Sequence, residues 1–463
     1  MQLPKIRKKS FCGVISAFDD NGLGVMDGMA VPFSAVGDTV EAELLKSKKG
    51  VKILRLNKII EAGADRIAPP CPYAGSCGGC LWQHLRYPAQ LELKRGMVNA
   101  AFEGAGIETR IKEVMPCGAI QEAQKNGDAM PLHYRNRMDY CISWDGKIGL
   151  KEYGSWNRYL DLKTCLLLDE QTSDTLNCVR ECMKELNLEP WDARFHRGVM
   201  RYVVIRVGKN TGERMIMLVV SDLAKLKKSA RALIYEKLSP LCTSLLLGEQ
   251  PLITDLSYVK GVDVLKGEAW LEETVNSIRY RIAPNSFFQT NTGMAAKLQN
   301  TVLNHFSKIR HSSFVIRHSV LDLYCGLGFF GIACAKRNPD MRVIGVELDA
   351  QAIELAKHNA AVNGVADRCS FTAAPAEDLS WQNLDADTVI LDPPRSGLHP
   401  RVMTAILEMQ PKRIIYVSCN YRRFAEEFKQ LGEKYRIKSS CALDLFPHTP
   451  HVEIVSLLEI QKH

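Results

Sequence analysis

Between residues 320 and 420 the apolar positions come in short unbroken runs separated by stretches with helical spacing. Residues 320–324, 342–346, 388–391 and 413–417 read as strands, and 349–363, closed by Gly364, reads as a helix between two of them. Strands alternating with helices predict a parallel, doubly wound α/β sheet that binds its ligand at the carboxyl ends of the strands. The fourth run, Ile414-Ile415-Tyr416-Val417-Ser418-Cys419-Asn420, stops abruptly and delivers Cys419 to that edge. A lone cysteine at a strand end is as a rule a small core residue, so its neighbours decide what it does. Upstream, residues 284–291 form a polar turn holding Phe287 and Phe288, followed by a helix with Leu298, Val302, Leu303 and Phe306 on one face. Residues 138–280 alternate strand-like runs, 202–207 and 215–220 among them, with helical ones, and 87–105 predicts a further helix. Residues 121–131 read as a loop. Residues 10–60 alternate in short segments broken by Asp20-Asn21-Gly22 and Asp27-Gly28, which are hairpin signals and predict a small β-barrel.

A chain of 463 residues exceeds one hydrophobic core and predicts two to four domains. No secretion signal and no apolar run of membrane-spanning length stands out, so an intracellular, cytoplasmic protein is expected, with no membrane partner. In that setting fifteen cysteines argue against a disulfide framework and for ligands or nucleophiles. The net charge of +8 is uneven: the first 60 residues carry ten Lys and Arg against six Asp and Glu, and residues 46–52 are a basic stretch. That asymmetry favours a polyanionic partner.

Four stretches carry chemistry. Cys71, Cys77 and Cys80, threaded through glycines, have the spacing of three ligands to one metal centre. Cys117, Cys141, Cys165, Cys178 and Cys182 are all candidates for a fourth thiolate, and spacing separates neither these candidates nor zinc from an iron–sulfur cluster. His133-Tyr134-Arg135-Asn136-Arg137 combines aromatic and guanidinium groups, a mixture suited to bases and phosphates. Cys325-Gly326-Leu327-Gly328-Phe329-Phe330-Gly331 follows the first strand, and Glu347, twenty-one residues beyond Gly326, can bind a ribose diol. Taken alone that loop suits a dinucleotide. Asp392 on a Pro-Pro turn and Cys419 at the next strand end favour S-adenosylmethionine instead.

Asp392-Pro-Pro-Arg-Ser-Gly, Ser418-Cys419-Asn420 and Phe446-Pro-His-Thr-Pro-His-Val-Glu453, in that order behind the glycine loop, resemble the RNA 5-methyluridine methyltransferase family over nearly the whole chain. The resemblance implies a Rossmann-like methyltransferase domain (88–117 and 284–463), a central α/β iron–sulfur domain (62–87 and 118–283) and an N-terminal TRAM domain, an oligonucleotide-binding-like barrel (1–61). It implies Cys419 as the covalent nucleophile on a flipped uridine and Glu453 as the base. It also implies Gln289, Tyr324, Gly326, Gly328, Glu347 and Asp392 at S-adenosylmethionine, and a [4Fe-4S] cluster on Cys71, Cys77, Cys80 and Cys165. The cysteine group is similar to that of the 23S rRNA branch, so 23S rRNA is the expected partner, with tRNA the alternative and no protein partner expected. An iron–sulfur dinucleotide oxidoreductase would use the cysteines and glycines but leave Cys419 and Glu453 idle. A catalytically silent RNA-binding protein would use only the basic barrel. Phe329 departs from the small or polar residue that many relatives carry after the second glycine.

Overall fold

The computed structural model describes residues 10–48, 50–118, 130–307 and 319–461. Most of the 121–131 loop reading lies outside them.

The N-terminal alternation produces a six-stranded sheet in the order Ser10–Val14, Thr39–Lys48, Val51–Glu61, Met29–Val31, Gly24–Met26, Ala17–Phe18. Asp27 and Gly28 both take positive φ, 49° and 72°, which is the turn that joins Gly24–Met26 to Met29–Val31. The run from Ser10 to Phe18 borders both ends of the sheet: Ile15 N–H donates to Asp38 O and Ser16 N–H to Val25 O. Of the basic stretch, Lys46, Ser47 and Lys48 pair with Ile53, Lys52 and Val51 at the far end of the long hairpin between Thr39–Lys48 and Val51–Glu61.

The middle of the chain builds a second six-stranded sheet, Gly261–Lys266, Ser244–Glu249, Arg214–Val220, Met200–Val207, Arg137–Ile142, Ile148–Gly149. It is buried on both faces, which is why its strands read as continuous apolar runs. Period two still sorts them: Val203, Ile205, Ile216 and Leu218 share a core with the helices Thr172–Glu185 and Lys228–Leu238. Tyr202, Val204, Met215 and Met217 share one with the hairpin Leu271–Val275/Ile278–Ile282 and with the C-terminal sheet.

That C-terminal sheet has eight strands in the order Cys369–Ala373, Arg342–Glu347, Ser319–Leu323, Thr388–Leu391, Arg413–Ser418, Glu453–Ile460, Tyr435–Leu443, Val114–Met115. The strands from 319 to 418 run parallel, and Glu453–Ile460 returns antiparallel beside Arg413–Ser418. Thr388–Leu391 is therefore the fourth of these strands in the chain and not the third, because Cys369–Ala373 precedes it. That edge strand buries only Phe371 and leaves no apolar pattern to read. The helix Tyr87–Gly104 and the strand Val114–Met115 dock on this sheet, burying Val98, Phe102, Ile107 and Ile111 against Phe424 and its neighbours. Among the described residues no helix is long and apolar enough to cross a membrane.

Candidate active site

The glycine loop is shaped by backbone conformation. Tyr324, Gly326 and Gly328 all adopt positive φ, 65°, 53° and 85°, so the chain turns sharply between the end of Ser319–Leu323 and the helix Phe329–Arg337. A Cβ on Gly326 would meet nothing within 4 Å, so the loop leaves open space for a ligand, whereas one on Gly328 would lie 2.6 Å from Ile332 Cδ1. Glu347 holds the loop from the next strand: its Oε2 accepts from Gly326 N–H at 3.2 Å and its Oε1 from Asp349 N–H at 3.0 Å. Lone pairs remain on both oxygens for a diol. Leu348, exposed beside it, adds an apolar side chain at the same lip.

Sequence reading missed Asp322. This buried carboxyl accepts from Gly331 N–H at 2.9 Å and ties the strand to the first turn of the helix. Burial pushes it up to about 8, with the charges of Asp392 and Glu347 adding to the effect. Phe329 turns away from the loop into an aromatic group, 5.5 Å from Tyr280 and 5.7 Å from Phe288, while its carbonyl accepts from Tyr280 Oη and Gln299 Nε2. Its side chain thus packs the underside of the cleft. Gln289 is buried in the neighbouring turn, where its carbonyl accepts from Asn136 Nδ2 at 2.8 Å.

Cys419 and Glu453 are brought together by strand register. Ser418 pairs with Ile454 in the antiparallel ladder, so one further step sets Cys419 opposite Glu453 at the ligand-binding edge. Asp392 ends the adjacent strand, one step beyond the Leu391–Tyr416 pair. The electrostatics follow from this crowding. Burial pushes the Cys419 thiol up to about 11, helped by the charges of Glu453 and Asp392 and opposed by Arg395. Burial, then Asp392, holds the Glu453 carboxyl well above the usual range, again opposed by Arg395. Asp392 rises to about 7 through burial and the charge of Glu347. These acids compete for protons, so they titrate as a group.

Arg395 and His451, to which sequence reading gave no role, close the site. Arg395 Nη2 lies 2.9 Å from His451 Nδ1, and its carbonyl accepts from Asn420 Nδ2 at 3.0 Å. Asn420 also caps the helix Tyr421–Leu431. That helix pins the Asp392 turn through Glu427, which accepts from Leu398 N–H at 2.8 Å, Arg423 Nε at 2.9 Å and Tyr416 Oη at 2.5 Å.

The loop that carries His451 to Glu453 is held by the helix Tyr87–Gly104. Tyr87, Gln90 and Lys94 lie on one face and all are buried. Lys94 Nζ donates to Asp444 Oδ1 at 2.5 Å and to Phe446 O at 3.0 Å, and Tyr87 Oη donates to Asp444 Oδ2 at 2.9 Å. Gln90 Oε1 accepts from His448 N–H at 2.8 Å. Burial pushes Lys94 down while the Asp444 charge holds it up.

A second site lies in the central region. Cys71, Cys77, Cys80 and Cys165 line one pocket with Tyr73, Gln83 and Leu150. Of the other thiols, Cys117 contacts Asn291 instead, Cys141 lies on the strand Arg137–Ile142, and Cys178 and Cys182 lie on Thr172–Glu185. Burial pushes Cys77 up to about 11, and Cys165 and Cys71 add to it. Gly79 N–H donates to Cys77 Sγ at 3.4 Å and Gln83 Nε2 to Cys80 Sγ at 3.8 Å, the outer contacts that thiolate ligands require. Among the described residues no three His, Cys, Asp or Glu side chains close up around a single ion. The His133–Arg137 segment is not a free stacking surface: Tyr134 and Asn136 are buried, and Arg137 pairs with Asp139 at 2.7 Å. It is the seam between the two sites, pairing with Leu166 and Leu167 on one side and Thr290 on the other.

Residues 263–461 match the family described as tRNA (Uracil-5-)-methyltransferase. The chain is 35% identical over 446 residues to the tRNA (uracil(54)-C(5))-methyltransferase of Pyrococcus horikoshii, covering 96% of this chain and 99% of that relative. It is 32% identical to an uncharacterised RNA methyltransferase of Halalkalibacterium halodurans, covering 96% and 95%. The crystal structure of Pyrococcus abyssi tRNA (uracil-54, C5)-methyltransferase in complex with S-adenosyl-L-homocysteine superposes with a TM-score of 0.79 at 32% identity, covering 96% and 99%. By likeness of that extent over nearly the full length of both chains, this chain belongs to the tRNA (uracil-5-)-methyltransferase family.

Proposed function

We propose that the chain transfers a methyl group from S-adenosylmethionine to carbon 5 of a uridine in RNA, with Cys419 as nucleophile and Glu453 as base. The observation that carries this reading is the register that sets Cys419 opposite Glu453 at the cofactor edge. Carbon 5 of uracil is a weak nucleophile. Addition of the Cys419 thiolate to carbon 6 forms a C–S bond and moves the ring π electrons onto carbon 5 and oxygen 4 as an enolate. Carbon 5 then takes the methyl group, the sulfonium C–S bond breaks, and S-adenosylhomocysteine leaves. Glu453 removes the remaining proton from carbon 5, and the returning electrons expel Cys419 as thiolate. A carboxyl held above its usual range by burial is a stronger base once ionised, as this step asks of Glu453. Glu347 would take the ribose diol, Gln289 and Tyr324 the walls of the cofactor cleft, and Asp392 the cofactor amino group or the uracil. The uridine must leave its stack to reach Cys419.

For the RNA, tRNA replaces 23S rRNA as the first choice, since the named relatives above act on uracil 54 of tRNA. The six-stranded N-terminal sheet, bordered at both ends by one run of chain, suits an oligonucleotide-binding barrel of the TRAM kind. Cys71, Cys77, Cys80 and Cys165 would hold a [4Fe-4S] cluster, a reading supported by the four thiols lining one pocket. Bound there, the cluster would cross-link the 71–80 loop to the 165 segment.

The test is methyl transfer from labelled S-adenosylmethionine to separated tRNA and rRNA lacking 5-methyluridine, with the product nucleoside identified by mass spectrometry. Label in 5-methyluridine of tRNA is expected. Label in rRNA alone would return the substrate to 23S rRNA, and label in neither would overturn the reading.

A further inference from the structure

At the far end of the central sheet, aromatic rings and guanidinium groups are stacked on an exposed surface. Trp144 is 49% and Phe195 63% exposed. Arg194 lies 4.4 Å from the Trp144 ring and 5.5 Å from Phe195, and Arg197 lies 5.1 Å from Phe195. The group is built rather than loose. Asp192 holds Arg194 in a two-pronged contact, Nε at 3.0 Å and Nη2 at 2.7 Å. Arg201, buried under Trp191 at 4.8 Å, fastens the neighbouring loop by donating to Gln250 O at 2.5 Å, Leu252 O at 2.7 Å and Thr254 O at 2.6 Å. That loop leads back toward the active site. Leu256 and Tyr258 on it are exposed, and Val259 exchanges two hydrogen bonds with Asn285, two residues from the exposed Phe287. Exposed side chains, Leu252, Ile253, Leu256 and Tyr258, thus lie along the loop between the aromatic group and the cofactor turn. The strand from Arg137 to the turn at Trp144 runs alongside, a span of about 23 Å at ~3.3 Å per residue.

We propose that this group, Trp144, Arg194, Phe195 and Arg197, is a second RNA-docking platform, on which unpaired nucleotides outside the target uridine stack while Arg197 meets a phosphate. The proposal rests on the reading that RNA is the substrate. Exposed rings offer a face to any base, and flanking guanidinium groups add charge that a polyanion matches. Arg194 and Arg197 stand at the rings against Asp192, and Asp145 beside Trp144 is paired with Lys147 at 2.7 Å, so the surface there is net positive. The Arg197 carbonyl accepts from Asp192 N–H at 2.8 Å and its charge lies near that of Asp192, but its guanidinium stays within 5.1 Å of the Phe195 ring, where a phosphate can meet it.

The experiment uses the full chain and a fluorescein-labelled, unstructured 20-nucleotide RNA, read by anisotropy without S-adenosylmethionine. Trp144→Ala/Phe195→Ala is expected to weaken binding about tenfold, and Phe195→Tyr to leave it within about twofold, since a ring face remains. Arg197→Ala should lower the slope of log affinity against log salt by about one. Methylation of a short hairpin holding only the target uridine should keep the wild-type kcat in all three variants. Wild-type affinity and salt slope in the first and third variants would overturn the platform. So would capture of a protein that needs Phe195 while RNA affinity is unchanged. If the wild type methylates no RNA yet binds the oligonucleotide through Phe195, the methyltransferase reading fails and the platform stands.

Discussion

The edge of the C-terminal sheet and the cysteine pocket of the central region both gather acids that burial pushes toward their protonated forms, in the pocket Cys71, Cys77 and Cys80, yet they are built differently. At the sheet edge the acids are unlike: a thiol, two carboxyls and the charge of Arg395. Protons can be redistributed among them, which is what an addition followed by an elimination requires. In the pocket the groups are four alike thiols, with amide donors behind Cys77 and Cys80. Nothing there receives a proton, and the cost of burying thiolates falls only when a metal group neutralises them. The first arrangement suits turnover and the second suits a permanent occupant.

The sharpest break of that comparison is Cys419→Ala, expected to cut methyl transfer on the order of 10⁵-fold, as loss of a nucleophile does. S-adenosylmethionine binding by calorimetry should be unchanged. Glu453→Gln should lower kcat about 10³-fold while a covalent protein–RNA band accumulates on denaturing gels, because addition survives and elimination does not. Turnover near wild type would place the base elsewhere.

Lys94→Met leaves Asp444 buried without its countercharge, and is expected to cost about 3–5 kcal/mol in urea unfolding. Lys94→Met/Asp444→Leu should regain most of that stability but keep a lowered kcat, about tenfold, since the loop carrying Glu453 loses its tie to Phe446. Recovery of both would make Lys94 a matter of stability alone. At the pocket, Cys165→Ser should remove visible iron–sulfur absorbance and lower the Tm by several degrees, with kcat per folded molecule within a few-fold. A colourless wild-type protein containing zinc would contradict the cluster.

The remaining effect is one of pH and concerns Asp322. Its folded value of about 8 stands above its ordinary 3.8, so between those values the fold holds a proton that the unfolded chain has released. Its contribution to stability is therefore present below about pH 4 and is lost as pH rises through about 8. Asp322→Asn keeps an acceptor for Gly331 N–H and should flatten the fall of Tm across that window. An unchanged slope would show that Asp322 does not titrate there.

The two regions were also unequally legible. Cys419 could be read because a buried strand ends there, and Glu347 and Asp392 because other strands end at the same edge. The pairing with Glu453 depends on a ladder register that no local pattern records. Lys94 and Asp444 are 350 residues apart, and a lysine between Gln90 and Val98 looks like any solvated helix position. Arg395 and His451 sat inside motifs quoted for other residues. His133–Arg137 misled because a stretch rich in rings and guanidinium groups reads alike whether it meets RNA or fills a seam. Cys71, Cys77 and Cys80 showed as a group through close spacing. Among the five candidate partners only the fold brings Cys165 to their pocket.

The central claim is the covalent role of Cys419, and the most direct measurement is the mass of the protein after incubation with S-adenosylmethionine and a tRNA transcript containing 5-fluorouridine. Fluorine at carbon 5 cannot leave as a proton does, so elimination is blocked. The expected result is one methylated RNA fragment bound to the peptide holding Cys419, absent in Cys419→Ala. Methyl transfer to ordinary tRNA with no such adduct, or with the adduct on another of the fifteen cysteines, would contradict it.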